Sequence, residues 1–278
     1  MTKIINGKQI ADSIANKLKK EVLTLTKKPI LAIVIYKPDS RSQMYVKLKQ
    51  ARAKEVGIQV QLLDWSNLSQ EDCITNMQQI AQDDNVDGII VQLPLSGWYD
   101  PQLLLDLIPS NKDVDGLSSK SIDDLKDNKQ ILMPATPKAV ITALEYEQIN
   151  LRNKTIAIIG QGKLVGLPIS LILKNRGLNI VSADVNTKNL NSITQKADIV
   201  ISATGVPNII KGAMIKDGAV VLDVGIVEVN GKLAGDVDYA SVEHKCSVIA
   251  KVPGGIGPIT VVSLLENVVE AAKKRQGN

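Results

Sequence analysis

Short unbroken apolar runs alternate with segments of helical period along most of this chain, and that alternation restricts the fold more than any other feature. Ile10, Ile14, Leu18 and Val22 recur every four residues over 8–25, one face of an amphipathic helix. Pro29 to Tyr36 follows as a continuous apolar run rich in β-branched residues, the mark of a strand buried in a parallel sheet. A helix is expected from about Ser40, ended by Gly57. Ile58 to Leu63 reads as the next strand, a helix lies near 69–82, and the strand Asp87 to Leu93 is stopped by Pro94. The pattern then restarts. Lys154 to Ile159 reads as a strand, Gly160 to Gly162 as a turn and Val165 to Asn175 as a helix, with further strands at Leu178 to Ala183, Ala197 to Ser202 and Ala219 to Val224. Strand–helix order of this kind predicts an α/β fold with parallel sheets covered by helices. The 278 residues suit two domains, divided in the Pro-marked stretch Met133 to Pro137 before a helix over 138–148. The expected domains are 1–136, completed by 259–278 where the last helix packs back, and a Rossmann-type dinucleotide-binding domain over 137–258.

Composition removes several functions. The chain has no Phe and only 3% aromatic residues, so an aromatic base-stacking surface is not expected. Its net charge of +4 is interleaved rather than striped, which argues against nucleic acid or membrane as a partner. Two cysteines, Cys73 and Cys246, support neither a disulfide framework nor a Cys-rich zinc site, and read as small buried fillers. The single histidine, His244, excludes a mechanism that needs two imidazoles and reads as a surface residue. No signal-type segment or long apolar run is present, so a cytoplasmic location is expected.

Four clusters carry chemistry. Ser42, Tyr45 and Lys49 are spaced three and four residues apart and share one helix face. A buried lysine there would have its pKa lowered, though spacing alone favours a solvated basic face with Lys47, Arg52 and Lys54 nearby. Gln92 closes an apolar strand at the edge where open α/β sheets bind ligands, and a plain strand-end polar residue reads equally well. In Lys112-Asp113-Val114-Asp115-Gly116 two carboxylates stand two residues apart, fit for a metal or a substrate amine, and alone they read better as a turn. Gly160-Gln161-Gly162-Lys163-Leu164-Val165-Gly166 has one residue more than the usual dinucleotide fingerprint, but it lies between a strand and a helix. Asp184 ends the following strand, where a carboxylate accepts ribose hydroxyls and repels a 2′-phosphate; the rival reading is a cap for a helix starting near Thr187. A glycine loop, Pro253-Gly254-Gly255-Ile256-Gly257-Pro258, precedes the last helix and would allow close approach of a flat ligand.

Together these segments resemble one family over nearly the whole chain: the bifunctional methylenetetrahydrofolate dehydrogenase/cyclohydrolases, often called FolD. The resemblance rests on Ser42-x-x-Tyr45-Val46-x-x-Lys49, on Asp87 to Pro94, on Lys112 to Gly116, on Gly218 to Ile226 and on Pro253 to Pro258. It implies oxidation of 5,10-methylenetetrahydrofolate with NAD(P)+ and hydrolysis of the methenyl product to 10-formyltetrahydrofolate, within one-carbon metabolism. It implies Lys49 as the catalytic lysine, Tyr45 packed on the folate rings, Gln92 bonded to Lys49, and Asp115 on the pterin amine edge. It further implies Pro253, Gly254, Gly255 and Gly257 lining the folate cleft, Ile226 touching the cofactor, and a homodimer.

The departures bear on the cofactor. The family's Gly-Arg-Ser turn, whose Arg and Ser favour NADP, is Gly160-Gln161-Gly162 here, and a His-Ser type pair is Asp184-Val185. NAD is therefore expected over NADP, bound by Gly160, Gln161, Gly162, Val165, Gly166, Asp184, Val185 and Ile226. Ala135 replaces a cysteine and Lys251 a proline. Hydride removal needs no proton transfer, so positioning dominates that step. Hydrolysis needs a base near neutral pKa, which a desolvated Lys49 supplies. The alternatives are a monofunctional NAD-dependent dehydrogenase and a non-catalytic folate or dinucleotide sensor, against which the retained Tyr45, Lys49, Gln92 and Asp115 argue, and, on fold alone, a dehydrogenase of the shikimate type, which the lysine helix and Asp113-Val114-Asp115 separate.

Overall fold

A computed structural model describes residues 1–229 and 231–277. The described chain runs β1 (Lys3–Ile4), α1 (Gly7–Val22), β2 (Ile30–Ile35), α2 (Ser40–Val56), β3 (Gln59–Asp64), α3 (Gln70–Gln82), β4 (Gly88–Val91), α4 (Gln102–Leu105), α5 (Ser119–Lys126) and α6 (Ala135–Tyr146). It continues with β5 (Thr155–Ile159), α7 (Gly166–Asn175), β6 (Asn179–Ala183), α8 (Leu190–Thr194), β7 (Ile199–Ser202), a 3-10 turn at Gly212–Met214, β8 (Val220–Asp223), β9 (Val227–Val229), β10 (Lys232–Ala234), α9 (Tyr239–Val242), β11 (Val248–Ala250) and α10 (Ile256–Gln276). Two compact units result, one of Asp12–Ala135 with the chain from Val261 onward, the other of Met1–Ala11 with Thr136–Thr260.

The first unit holds a parallel sheet in the order β3-β2-β4. Its central run Leu31 to Val34 is fully buried, which is why it reads as unbroken apolar sequence. Gly57, with φ +90°, closes α2 in the left-handed conformation that favours glycine. The last helix is fixed within this unit. At Gly88 on β4 an added Cβ would fall 2.7 Å from Val114 and 3.0 Å from Val268, so only glycine lets α10 lie this close. Asn267 Nδ2 donates to Val114 O at 2.8 Å and Met133 O at 2.7 Å, and Arg275 Nε donates to the buried Asp87 at 2.7 Å.

The second unit is a six-stranded parallel sheet, β1-β11-β8-β7-β5-β6, with a separate antiparallel hairpin β9–β10. The opening residues were expected in the first domain. They belong here, because Lys3 and Ile4 pair with Val248 and Ile249 of β11. Both strands are too short for periodicity to register.

Candidate active site

α2 positions the first constellation. The Asp39 carboxylate accepts from Ser42 N at 2.7 Å, which caps the helix and holds that carboxyl below its ordinary range. Ser42 is buried, and its hydroxyl donates to Leu93 O at 3.3 Å. Gln92 Nε2 donates to the same carbonyl at 3.0 Å. With its amine end turned there, Gln92 presents Oε1 to Lys49 Nζ at 3.0 Å. Burial pushes the Lys49 ammonium below the ordinary lysine value, against the opposing pull of Asp115. Burial likewise pushes the Asp115 carboxyl up, opposed by Lys49 and reinforced by Asp113. Sequence spacing favours a solvated basic face for this lysine; the structure half-buries it instead, with its amine on the Gln92 amide oxygen and its charge interacting with Asp115. Tyr45, next on the same face, is half-buried with the Arg41 guanidinium 5.9 Å from its ring centre.

The Lys112–Gly116 segment divides its labour. Ile89 N donates to Lys112 O at 2.8 Å and Ile89 bridges to Asp113, so the segment continues the sheet beside β4. Lys112 Nζ donates to Ala81 O at 2.9 Å and Asp83 O at 2.7 Å, closing the end of α3. Asp113 Oδ1 accepts from Gly116 N at 2.9 Å and Leu117 N at 3.2 Å, and Oδ2 from Ser118 N at 2.9 Å and Ser121 Oγ at 2.7 Å. Asp113 is thus the turn builder, and Asp115 is the carboxylate that interacts with Lys49. Among the described residues no cluster suits a metal ion.

The second unit carries the glycine turn at the carboxyl end of β5. Gly160 has φ +91°, and a Cβ there would fall 2.4 Å from Ala203 O. A Cβ on Gly166 would fall 1.8 Å from Gly160 O, so both positions require glycine for the strand end and α7 to approach. Gly162 faces open space, and Val165 precedes α7 without a side-chain cap. An exposed loop leading into a helix is the usual anion site of such turns; here Leu167 N donates to Gly162 O at 3.1 Å and Pro168 has no N–H, which leaves Gly166 N as the first-turn donor without a hydrogen bond among the described residues. The Gln161 side chain folds inward: Nε2 donates to Gly160 O at 2.9 Å, and Oε1 accepts from Ser170 Oγ at 3.1 Å.

Asp184 stands exposed at the end of β6, followed by the fully exposed Val185. Its Oδ1 accepts from Asn186 N at 3.0 Å and Thr187 Oγ1 at 3.1 Å, and its Oδ2 carries no hydrogen bond among the described residues. The expected helix near Thr187 is a turn; α8 begins only at Leu190. Ile226 is half-buried after β8. In the same unit Gly254 has φ +102°, and Gly7 N donates to Gly254 O at 2.9 Å, which ties the Pro253–Gly257 loop to the start of α1. Lys251 Nζ lies 5.4 Å from the Tyr239 ring centre. His244 is exposed, and both cysteines are free and buried. Asp223 lies within Gly218–Ile226, one of the segments that carry the resemblance, but sequence reading gave it no role and passed over Asp236; both are buried.

A glycine turn closing a parallel strand, with a half-open loop before a helix and a carboxylate at the next strand end, defines a nicotinamide-dinucleotide-binding protein of the Rossmann class. Residues 5–115 match the model of the tetrahydrofolate dehydrogenase/cyclohydrolase catalytic domain, and residues 134–276 match that of its NAD(P)-binding domain. The chain belongs to this tetrahydrofolate dehydrogenase/cyclohydrolase family. It is 40% identical over 274 residues to the bifunctional protein FolD of Vesicomyosocius okutanii, covering 98% of this chain and 99% of that one. A crystal structure of bifunctional FolD from Campylobacter jejuni superposes with a TM-score of 0.93 at 36% identity, covering 99% of this chain and all of that one. The Trypanosoma brucei FolD complexed with NADP cofactor and inhibitor superposes with a TM-score of 0.91 at 30% identity, covering 98% of each chain.

Proposed function

We infer that this chain oxidises 5,10-methylenetetrahydrofolate with a nicotinamide dinucleotide and hydrolyses the methenyl product to 10-formyltetrahydrofolate. The observation that carries the reading is Lys49, held at 3.0 Å by the oriented oxygen of Gln92 and pushed toward neutrality by burial. Folate chemistry is assigned to the unit of Asp12–Ala135, and dinucleotide binding to that of Thr136–Thr260.

The chain's own groups account for hydrolysis. A water adding to the bridging carbon of the methenyl cation must lose a proton as the C–O bond forms. Neutral Lys49 accepts that proton, and the cationic substrate favours the neutral amine before the step. Gln92 fixes the amine's direction, because its own Nε2 is anchored on Leu93 O. The Lys49 ammonium so formed is stabilised by Asp115. The proton then returns to the nitrogen that leaves as the ring opens. Tyr45 supplies an apolar wall for the folate rings, and Asp115 an acceptor for the pterin amine edge. The fit of a dinucleotide rests on the Gly160–Gly166 approach, which a Cβ would block, and on the open space at Gly162. When bound, the cofactor supplies the hydride acceptor.

NAD is proposed as the preferred form. The Gln161 amide is engaged within the chain, and Asp184 puts a carboxylate with one free oxygen where a 2′-phosphate would lie. A homodimer is proposed from the resemblance; the open edge strand β3, with Leu62 43% exposed, accords with it, and sedimentation equilibrium tests it. Among the described residues no helix is long and apolar enough to cross a membrane. The deciding experiment is initial rates on 5,10-methylenetetrahydrofolate with NAD and NADP at matched concentrations. Faster turnover with NAD is expected. Faster turnover with NADP removes the account of Asp184, and no turnover with either removes the dehydrogenase.

A further inference from the structure

The dinucleotide unit buries two carboxylates that the chemistry above does not use. Asp223 ends β8 and Asp236 follows β10, and they are 2% and 0% exposed. They interlock. Asp236 N and Val237 N each donate to the Asp223 carboxylate at 3.0 Å. Asp236 Oδ1 in turn lies against Gly225, where a Cβ would fall 1.9 Å from it, and Asp223 Oδ2 lies against Gly235 at the same 1.9 Å. Buried carboxylates are destabilising unless well bonded. Burial next to Asp236 pushes the Asp223 carboxyl up to about 7. Asp236 Oδ1 is buried with no hydrogen-bond partner among the described residues. A simple turn would not require such an arrangement.

Its consequence lies at the cofactor edge of the sheet. Asp236 Oδ2 accepts from Ser202 Oγ at 2.7 Å and from Thr204 N at 2.6 Å. Thr204 N and Ala203 O are the atoms that face Gly160, 3.0 and 2.4 Å from where its Cβ would be. On its other side Asp236 abuts Gly225, the residue before Ile226. One carboxylate therefore links the backbone wall of the glycine turn to the segment that presents Ile226.

We propose that Asp236 is a positioning residue for the dinucleotide, setting the spacing between the Ala203–Thr204 wall of the glycine turn and the Gly225–Ile226 segment. It acts through the backbone and touches neither cofactor nor substrate. The inference rests on the reading of this turn as the NAD(P) site.

The test uses the full chain. Binding of NADH and NADPH is followed by their fluorescence, and hydrolysis of 5,10-methenyltetrahydrofolate is followed without any dinucleotide. Asp236→Ala is expected to weaken the Kd of the better-bound dinucleotide about tenfold while hydrolysis stays within about twofold of wild type. Asp236→Asn, whose oxygen still accepts from Ser202 and Thr204, is expected to bring Kd back to within about threefold. An unchanged Kd in Asp236→Ala, or an Asp236→Asn variant as weak as it, overturns the proposal. Should Asp236→Ala fail to fold, Ser202→Ala decides: a Kd about two- to threefold weaker supports it, and no change overturns it. Wild-type protein that binds dinucleotide but does not turn over the folate breaks the proposed function and leaves this comparison standing. Wild-type protein that binds neither dinucleotide overturns both.

Discussion

The two units build their sites by opposite means. In the unit of α2 and β4, the proposed chemistry is concentrated in a few polar side chains whose properties are altered by burial or bonding: Lys49 lowered, Asp115 raised, Gln92 turned by a bond to Leu93 O. In the unit of β5 and α7, the proposed dinucleotide site depends on side chains that are absent: Gly160 and Gly166 have no room for a Cβ, and Gly162 has nothing near it. The first site is sensitive to charge and protonation, so its substitutions should appear in rate. The second is sensitive to volume and backbone path, so its substitutions should appear in binding.

Lys49→Ala gives the sharpest break. Removing the base is expected to lower hydrolysis of methenyltetrahydrofolate by about 10³-fold, within the usual range for a general base, with dinucleotide affinity unchanged. Loss of the absorbance of the conjugated methenyl cation follows the reaction directly. A variant hydrolysing at the wild-type rate removes Lys49 from the mechanism. Gly166→Ala is the counterpart in the other unit. Its Cβ, 1.8 Å from Gly160 O, forces the turn and α7 apart. Overpacking of about 1–3 kcal/mol predicts dinucleotide binding weakened by about 10- to 100-fold with hydrolysis retained. Equal loss of both activities would show that the division of labour between the units is wrong.

The same contrast explains what was legible in the sequence. Strands β2, β4 and β5 and the helices α2 and α7 are long enough, or buried enough, for composition and period to reveal them, whereas the four-residue α4 after β4 is not. β1, β11 and the β9–β10 hairpin have two or three residues each and leave no periodic trace. The glycine turn was readable because a missing Cβ is itself a sequence feature. Spacing could place Lys49 on a face with Tyr45, but its burial is a tertiary property, and the groups that hold and oppose its charge, Gln92 and Asp115, lie 43 and 66 positions away. Asp113 and Asp115 looked alike until the four donors on Asp113 separated them. Gln161's inward turn depends on Ser170, nine residues on, which no motif links to it.

A smaller effect is expected from the paired change Asp184→Ser and Gln161→Arg. It removes a carboxylate and adds a guanidinium at the two positions argued to disfavour a 2′-phosphate. The ratio of kcat/KM for NADP over NAD should rise by about tenfold, the scale of one charge contact in a half-exposed site. Because Thr187 Oγ1 also accepts from Asp184 N at 2.9 Å, the turn keeps an anchor when the carboxylate goes. An unchanged ratio would mean that this edge reads the adenosine through backbone alone, which would extend the contrast between the units to every part of the cofactor.

The mildest effect is a displacement along the pH axis, with the rate ceiling left out of the comparison. Lysine acts as the base only when deprotonated, so hydrolysis should rise with pH through the Lys49 pKa. Burial places that rise below the range of an ordinary lysine. The Asp115 anion favours the ammonium and holds the rise higher than burial alone would set it. Asp115→Asn should therefore move the rising limb to lower pH, whatever it does to folate affinity. Gln92→Glu should move it the other way, since a carboxylate would replace the amide oxygen 3.0 Å from Nζ. If both variants leave the limb in place, the titrating group is not Lys49, and the first unit's chemistry lies in something other than a desolvated amine.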